Sequence, residues 1–316
     1  MTSPYSVSSE TREGVEVYTL REGQRARADI APALGNNCFA FRTREAVLEP
    51  IPFSDFRQRP TSYGIPILFP FPNRIRDGQF SFQGERYTVS PPRHGFVRDK
   101  AWRVEAHGAS VAEGAWLTSS FAAAAYPEEI LRQFPFPFRL EIIYRLKDAR
   151  LEIETSAVNT GERDMPAGYG IHPYFRRPSG GTLTVPARQR LELADSLPTG
   201  QLLDVTGNYD LRRPANLNTL SLDDIYTSVE ADAAGLARCV IDDQENRLKT
   251  IVEFPREQFP YVVVYTPPAP RQAICVEPNT CPTDAFNLQR RGIESNLIAL
   301  APGATVRFNI SIYTEP

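Results

Sequence analysis

Only three histidines occur in 316 residues: His94, His107 and His172. Histidine is the side chain whose ordinary pKa lies nearest neutrality, so these are the first places to look for proton chemistry. His172 sits in Gly168-Tyr169-Gly170-Ile171-His172-Pro173-Tyr174-Phe175. Glycines permit close backbone approach to a ligand, and aromatic rings offer flat apolar faces for a ligand ring. His94 lies in Pro91-Pro92-Arg93-His94-Gly95-Phe96-Val97-Arg98, which two prolines and a glycine make an irregular loop. His107 belongs to the turn-like His107-Gly108-Ala109-Ser110 and is expected to be an exposed bystander. Glu277 follows the apolar run Ala273-Ile274-Cys275-Val276. A carboxylate delivered at the end of a buried strand loses hydration unless it finds partners. That raises its pKa toward the range of a general base. Each residue also has a plainer use, the histidines as structural hydrogen-bonders and the glutamate as a rim partner for an arginine.

The elements that must position these groups read as β-structure. Proline occurs 28 times, close to twice its ordinary share, which leaves little room for long helices. Apolar residues recur with period two. Phe138, Leu140, Ile142, Tyr144 and Leu146 form one arm of a predicted hairpin, and Leu151, Ile153, Thr155 and Ala157 the other, across a Lys147–Arg150 turn. Phe80 and Phe82 with Tyr87 and Val89 make a second hairpin around Gly84. Residues 238–243 and 247–254 make a third, turning near Asn246, and Val306, Phe308, Ile310 and Ile312 alternate near the C-terminus. The best helix candidate is short, with Pro127 at its first position before Glu128–Gln133. The proline-rich stretches 66–72 and 267–270 read as loops between strands rather than linkers between domains. Many strands with few helices indicate an all-β fold of the sandwich kind, and a single domain over residues 1–316.

Composition sets the boundaries. At 41% hydrophobic and 23% charged residues, the chain is expected to be an ordinary globular protein with a large core. A net charge of −3 with both signs interspersed argues against a nucleic-acid partner. No apolar run approaches the ~20 residues of a membrane span. The polar Met1–Glu10 stretch lacks the apolar centre of a secretory signal. The four cysteines, Cys38, Cys239, Cys275 and Cys281, form no CxxC pair, so no metal site is expected. They read as free thiols of a cytoplasmic protein, with Cys38, Cys239 and Cys275 in apolar, core-like runs. Nothing in the sequence sets an oligomeric state.

At its candidate residues the chain resembles the aldose 1-epimerase (galactose mutarotase) family. Four separated signatures appear in family order: Asn73-Arg74-Ile75 followed by Gly78 and the Phe80–Val89 hairpin; His94-Gly95 with Trp102 after it; His172-Pro173-Tyr174-Phe175; and Glu277-Pro278-Asn279 with Asp284 and Asn287 downstream. Together they span about two-thirds of the chain. Leu222-Asp223-Asp224-Ile225-Tyr226 resembles the family's substrate-binding aspartate segment, with Asp223 in that place. The resemblance implies a large antiparallel β-sandwich, the galactose mutarotase-like supersandwich with few short helices. It also implies a sugar-binding cleft that needs no metal or organic cofactor. It implies interconversion of the α and β anomers of an aldose: Glu277 takes the proton of the C1 hydroxyl, and His172 protonates the ring oxygen. His94 and Arg74 then hold the reacting oxygens, and Asn73 and Asp223 bind hydroxyls.

Members acting on galactose usually carry His-Gly-Gly at the first histidine. This chain has His94-Gly95-Phe96-Val97-Arg98, which with Gly64-Ile65-Pro66 before Phe69-Pro70 resembles the hexose-6-phosphate 1-epimerase branch. Arg74, Arg76, Arg93, Arg98 and Lys100 could serve a phosphate, although Arg93 and Lys100 read more simply as solvated charges. Arg98 would either meet an anionic substituent or pair with Asp99 or Glu105. Two other classes stand beside these. A non-catalytic carbohydrate-binding protein has no reason to keep an acid and a base together. A glycosidase usually needs two carboxylates flanking the scissile bond.

Overall fold

A computed structural model describes residues 3–316 of the chain. Period-two burial builds its longest strands. Phe138–Lys147 buries Phe138, Leu140, Ile142, Tyr144 and Leu146, while its intervening residues keep some exposure. Arg150–Asn159 does the same at Leu151, Ile153, Thr155, Ala157 and Asn159. The two pair antiparallel, with Leu140 opposite Ala157 and Tyr144 opposite Ile153. Asp148 and Ala149 both take positive φ, the twist that lets a two-residue turn join right-twisted strands.

This hairpin sits in a nine-stranded sheet. Leu236–Asp243 pairs with Leu248–Pro255, and the C-terminal strand Thr305–Glu315 bridges that hairpin to Arg150–Asn159. Gln79–Phe82 and Glu85–Thr88 form the predicted small hairpin. A second, eight-stranded sheet contains Asp223–Val229, Tyr261–Tyr265, Ala273–Asn279, Gly170–Ile171 and Ile67–Leu68 as successive neighbours. A four-stranded N-terminal meander, Tyr5–Arg12, Val15–Glu22, Ala26–Ala31 and Asn37–Arg42, joins the main core. Among the described residues, α-helix is limited to the six-residue segments Phe53–Gln58 and Ala285–Arg290. Pro127 opens one π-helical turn, Pro127–Leu131. Among the described residues, no helix is long and apolar enough to cross a membrane.

The architecture is therefore the expected antiparallel β-sandwich with few short helices. One cluster of buried side chains runs from Tyr5 to Ile312. Within it the Tyr169 ring stacks on Phe308 at 4.7 Å, and its hydroxyl shares a 2.8 Å hydrogen bond with Thr155. Three local expectations change. Residues 66–72 are not purely loop, because Ile67–Leu68 pairs with Gly170–Ile171. His107 lies in the strand Arg103–Ser110 rather than a turn, and is exposed as expected. Glu277 lies inside the strand Ala273–Asn279 rather than beyond its end.

Candidate active site

Strand periodicity aims Glu277. Along Ala273–Asn279, Ile274 and Val276 enter the main core. The opposite face carries Ala273 and Cys275, packed with Tyr174, and Glu277 follows in the same alternation. Glu277 pairs across the sheet with Val263, and Cys275 with Tyr265 and Tyr174. The result is a carboxyl group only 2% exposed.

His172 lies between two short strand pieces, Gly170–Ile171 and Tyr174–Arg176, which both pair with Ala273–Asn279. Its backbone N–H donates to the Pro66 carbonyl at 2.9 Å. Its ring stacks on Tyr174 with centroids 4.6 Å apart. The ladder can close here because residue 170 is glycine: a Cβ there would stand 1.8 Å from Asn279 Oδ1. With the ring so held, His172 Nε2 lies 3.1 Å from Glu277 Oε1.

His94 is fixed by two clasped loops. Its N–H donates to the Asn73 carbonyl at 2.7 Å, and the Asn73 N–H reaches His94 Nδ1 at 3.2 Å. Gly95 packs so closely on Phe69 that a Cβ would stand 1.9 Å from the Phe69 carbonyl oxygen. The His94 ring meets the His172 ring edge-on at 5.4 Å. Arg93 Nε lies 3.0 Å from His94 Nε2. A neutral imidazole has one acceptor nitrogen. The Asn73 amide is buried and has no other partner among the described residues, which gives the lone pair to Nδ1. Nε2 then carries the proton, and its N–H and that of Arg93 are two donors calling for one oxygen acceptor.

The electrostatics follow from burial and from the arginines. Desolvation, aided by Asp223, holds the Glu277 carboxyl well above its ordinary range, against the pull of Arg93 and Arg74. Desolvation pushes His172 down to about 3. The consistent description of the pair is one proton shared between two groups. His94 is driven well below its ordinary value, first by burial and then by His172, Arg98, Arg93 and Arg74, so it is uncharged. Arg74 Nη1 donates to Asn73 Oδ1 at 3.0 Å, and its Nη2 lies 4.0 Å from the exposed Asp223 at the rim.

The sequence itself matches the aldose 1-epimerase family model over residues 17–313. The chain belongs to the aldose 1-epimerase family. It is 27% identical to the uncharacterized protein YihR of Escherichia coli (strain K12), covering 79% of this chain and 78% of that one. A galactose mutarotase-like protein from Clostridium acetobutylicum superimposes with a TM-score of 0.87 at 23% identity, with 98% of each chain covered. The galactose 1-epimerase of Lactobacillus acidophilus NCFM does so with a TM-score of 0.77 at 16% identity, again over 98% of each chain. These similarities establish a galactose mutarotase-like β-sandwich.

Within this aldose 1-epimerase fold, His172, Glu277, His94, Asn73 and Arg74 converge, and Asp223 stands at the mouth. The basic cluster sorts itself. Lys100 pairs with Glu129, and Arg76 with Asp284. Arg98 is half-buried and acts on both histidines and on Tyr174. Among the described residues neither Arg98 nor Arg93 has a carboxylate within 4.0 Å, and Glu105 pairs instead with Arg103. Arg93 is exposed, as its reading as a solvated charge expects, and its charge also acts on His94, His172 and Glu277. The only available signal was its position next to His94. Arg271, which the sequence reading missed, lies 4.5 Å from both the Tyr63 and Tyr174 rings and pairs with Glu49. A separate cavity of about 730 Å³, lined by Leu191, Leu202, Val229, Tyr261, Leu288 and Ile293 among others, includes none of these residues. Its charged lining groups are Arg256, Glu257 and Glu294, with no histidine among them. The sequence has no metal-ligand spacing, but the fold brings His172, Cys275 and Glu277 together.

Proposed function

We propose that the protein is a mutarotase that interconverts the α and β anomers of an aldose by acid–base ring opening and closure. The observation that carries this reading is the 3.1 Å contact between the buried His172 Nε2 and Glu277 Oε1. Ring opening needs one proton removed from the C1 hydroxyl and one delivered to the ring oxygen. A pair holding a single proton does both. Starting as carboxylate and imidazolium, Glu277 accepts the O1 proton and His172 protonates O5. The C1–O5 bond breaks and a C1 carbonyl forms. The pair is now uncharged, the form that burial favours, so the open-chain intermediate coincides with the better-solvated state of the pair. Rotation about C1–C2 and reversal of both transfers close the ring on the other face. His94 Nε2–H, Arg93 and Arg74 are donors placed for oxygens that gain charge on the way. A binding module would not require this pair, and separation beyond about 10 Å would have favoured one, because both groups must reach one substrate.

The test is polarimetry on a panel of freshly dissolved single-anomer aldoses. His172→Asn and Glu277→Gln are each expected to lower kcat by at least ~100-fold with the fold retained by circular dichroism. Near-normal mutarotation of the best substrate by either variant would remove that residue from its role. Chelator treatment of the metal-free protein is expected to leave the rate unchanged.

A second reading, an aldose with an anionic substituent such as a hexose 6-phosphate, is favoured by Arg93 and Arg98 lacking carboxylate partners. Arg98→Ala is then expected to weaken the acidic sugar by about 1.5–3 kcal/mol, the worth of a hydrogen bond to a charged group, and barely to change a neutral one. Added salt should weaken the acidic sugar selectively. Equal losses on both sugars would assign Arg98 to loop structure and the substrate to neutral aldoses.

A further inference from the structure

Cys275 has no part in the proton transfers, yet it shares their cleft. It lies two residues before Glu277 on one strand, so the two side chains leave the same face. A ring nitrogen of His172, the Cys275 sulfur and a Glu277 carboxylate oxygen all lie within 4.8 Å of one another, and all three residues are buried. Their backbones are pinned by sheet pairing, since Cys275 pairs with both Tyr174 and Tyr265 while Gly170 pairs with Asn279. Imidazole, thiolate and carboxylate are the donor types of zinc sites with three protein ligands and one open position. Tetrahedral zinc, with bonds of about 2.3 Å to sulfur and about 2.0 Å to nitrogen or oxygen, draws such donors to roughly 3.3–3.8 Å apart. The His172–Glu277 contact, at 3.1 Å, is slightly shorter than that, and the thiol lies within 4.8 Å of both partners.

We infer that His172, Cys275 and Glu277 form a site for zinc, and that zinc bound there blocks sugar turnover by occupying both members of the acid–base pair. The guanidinium groups around the cleft are the obvious objection, because they repel a dication. Proton balance removes it. Zinc takes the place of two protons, the one shared by His172 and Glu277 and the one on the Cys275 thiol. Binding releases both, and the net charge facing Arg74, Arg93 and Arg98 is unchanged. The thiolate makes the site selective for zinc or cadmium over magnesium or calcium, which prefer oxygen donors. The fourth position is left for water or a sugar oxygen.

Occupation of the site is independent of the proposed activity, whereas inhibition rests on it, so the two are measured separately. Chelator-stripped full-length protein is titrated with cadmium and followed by the ultraviolet thiolate-to-cadmium charge-transfer band. One equivalent should develop the band, zinc should abolish it, and magnesium should not. Cys275→Ser and Cys275→Ala should both lose it, with folding checked by near-ultraviolet circular dichroism. In polarimetry, zinc should inhibit and chelator should restore the rate. Cys275→Ser should keep the zinc-free rate and raise the half-inhibiting zinc concentration at least tenfold, since loss of a direct ligand costs no less than the roughly 10–100-fold of an outer-sphere partner. No band with the native protein, or an equal band and equal zinc sensitivity in the serine variant, overturns the site. A clean band in a protein that turns over no aldose overturns the proposed activity and leaves the site standing.

Discussion

Two buried groups sharing one proton answer to pH differently from one buried group alone, and the cleft contains both cases. In the unfolded chain Glu277 and His172 titrate near 4.5 and 6.5. Between those values the unfolded pair holds one proton, on His172. The native pair also holds one, so stability does not change on its account. Above 6.5 the unfolded chain releases that proton while the native pair keeps it through the raised carboxyl. The native state then binds more protons, and stability falls as pH rises, by up to about 1.4 kcal/mol per pH unit. His94 has the opposite sign. It is uncharged in the fold but protonated in the unfolded chain below 6.5, so its contribution is lost as pH falls. Glu277→Gln should therefore flatten the decline in melting temperature as pH rises above 6.5, and His94→Gln the decline as pH falls below 6.5. Wild type and Glu277→Gln falling in parallel above pH 7 would show that the carboxyl is not raised.

At the scale of strands and loops, the site depends on two glycines that let backbones approach closely. Gly170→Ala places a Cβ 1.8 Å from Asn279 Oδ1 and 3.2 Å from the Pro278 carbonyl oxygen. The Asn279 amide must then turn aside, and the Pro278 carbonyl must give by a few tenths of an ångström, which shifts the strand bearing Glu277 against the one bearing His172. A misplacement of about 1 Å costs about 100-fold in rate, so kcat of Gly170→Ala should drop by less than that, and its melting temperature should fall. Unchanged kinetics would mean that the ladder does not set the pair's geometry. The same scale explains what the sequence could reveal. The hairpin of Leu140 and Tyr144 with Ala157 and Ile153 was legible because its arms are consecutive and one face is buried. The N-terminal Tyr5–Arg12 strand was not, because Tyr5 is its only fully buried residue and no alternation results. Ile67–Leu68 is too short to show a period. The meeting of Asn73, His94, His172 and Glu277 comes from pairings such as Gly170 with Asn279 and from the Phe69–Gly95 bridge. No local pattern encodes those pairings, and the family resemblance supplied the grouping. Arg93 is exposed as expected, and its action on His172 and Glu277 is set by the fold around His94, not by its own neighbourhood in the chain.

The whole molecule closes around this cleft with contributions from distant parts of the chain. The N-terminal meander buries Leu20, Ala28, Ile30 and Phe41 in the cluster that also holds Tyr144, Tyr169 and Ile312. It is tied by polar contacts as well. The Tyr144 hydroxyl donates to the buried Asn36 carbonyl at 2.8 Å, and the Ala149 N–H donates to Glu22 Oε2 at 2.7 Å. Such an interface is part of one core rather than a contact between two independent ones. The expectation of one domain over residues 1–316 therefore has a thermodynamic form. Heating should give one calorimetric transition, with tryptophan fluorescence and far-ultraviolet circular dichroism changing together. Trp102 packs against Phe121 with ring centroids 5.5 Å apart, so its emission reports on the nine-stranded sheet. Deleting residues 1–46 should not leave a stable remainder, because it exposes the part of the core that Leu20, Ala28, Ile30 and Phe41 cover, at about 25 cal/mol per Å² of apolar surface. Two resolved transitions, or a truncated chain that still melts cooperatively near the full-length temperature, would divide the molecule into separate folding units and move the meander out of the core that supports the cleft.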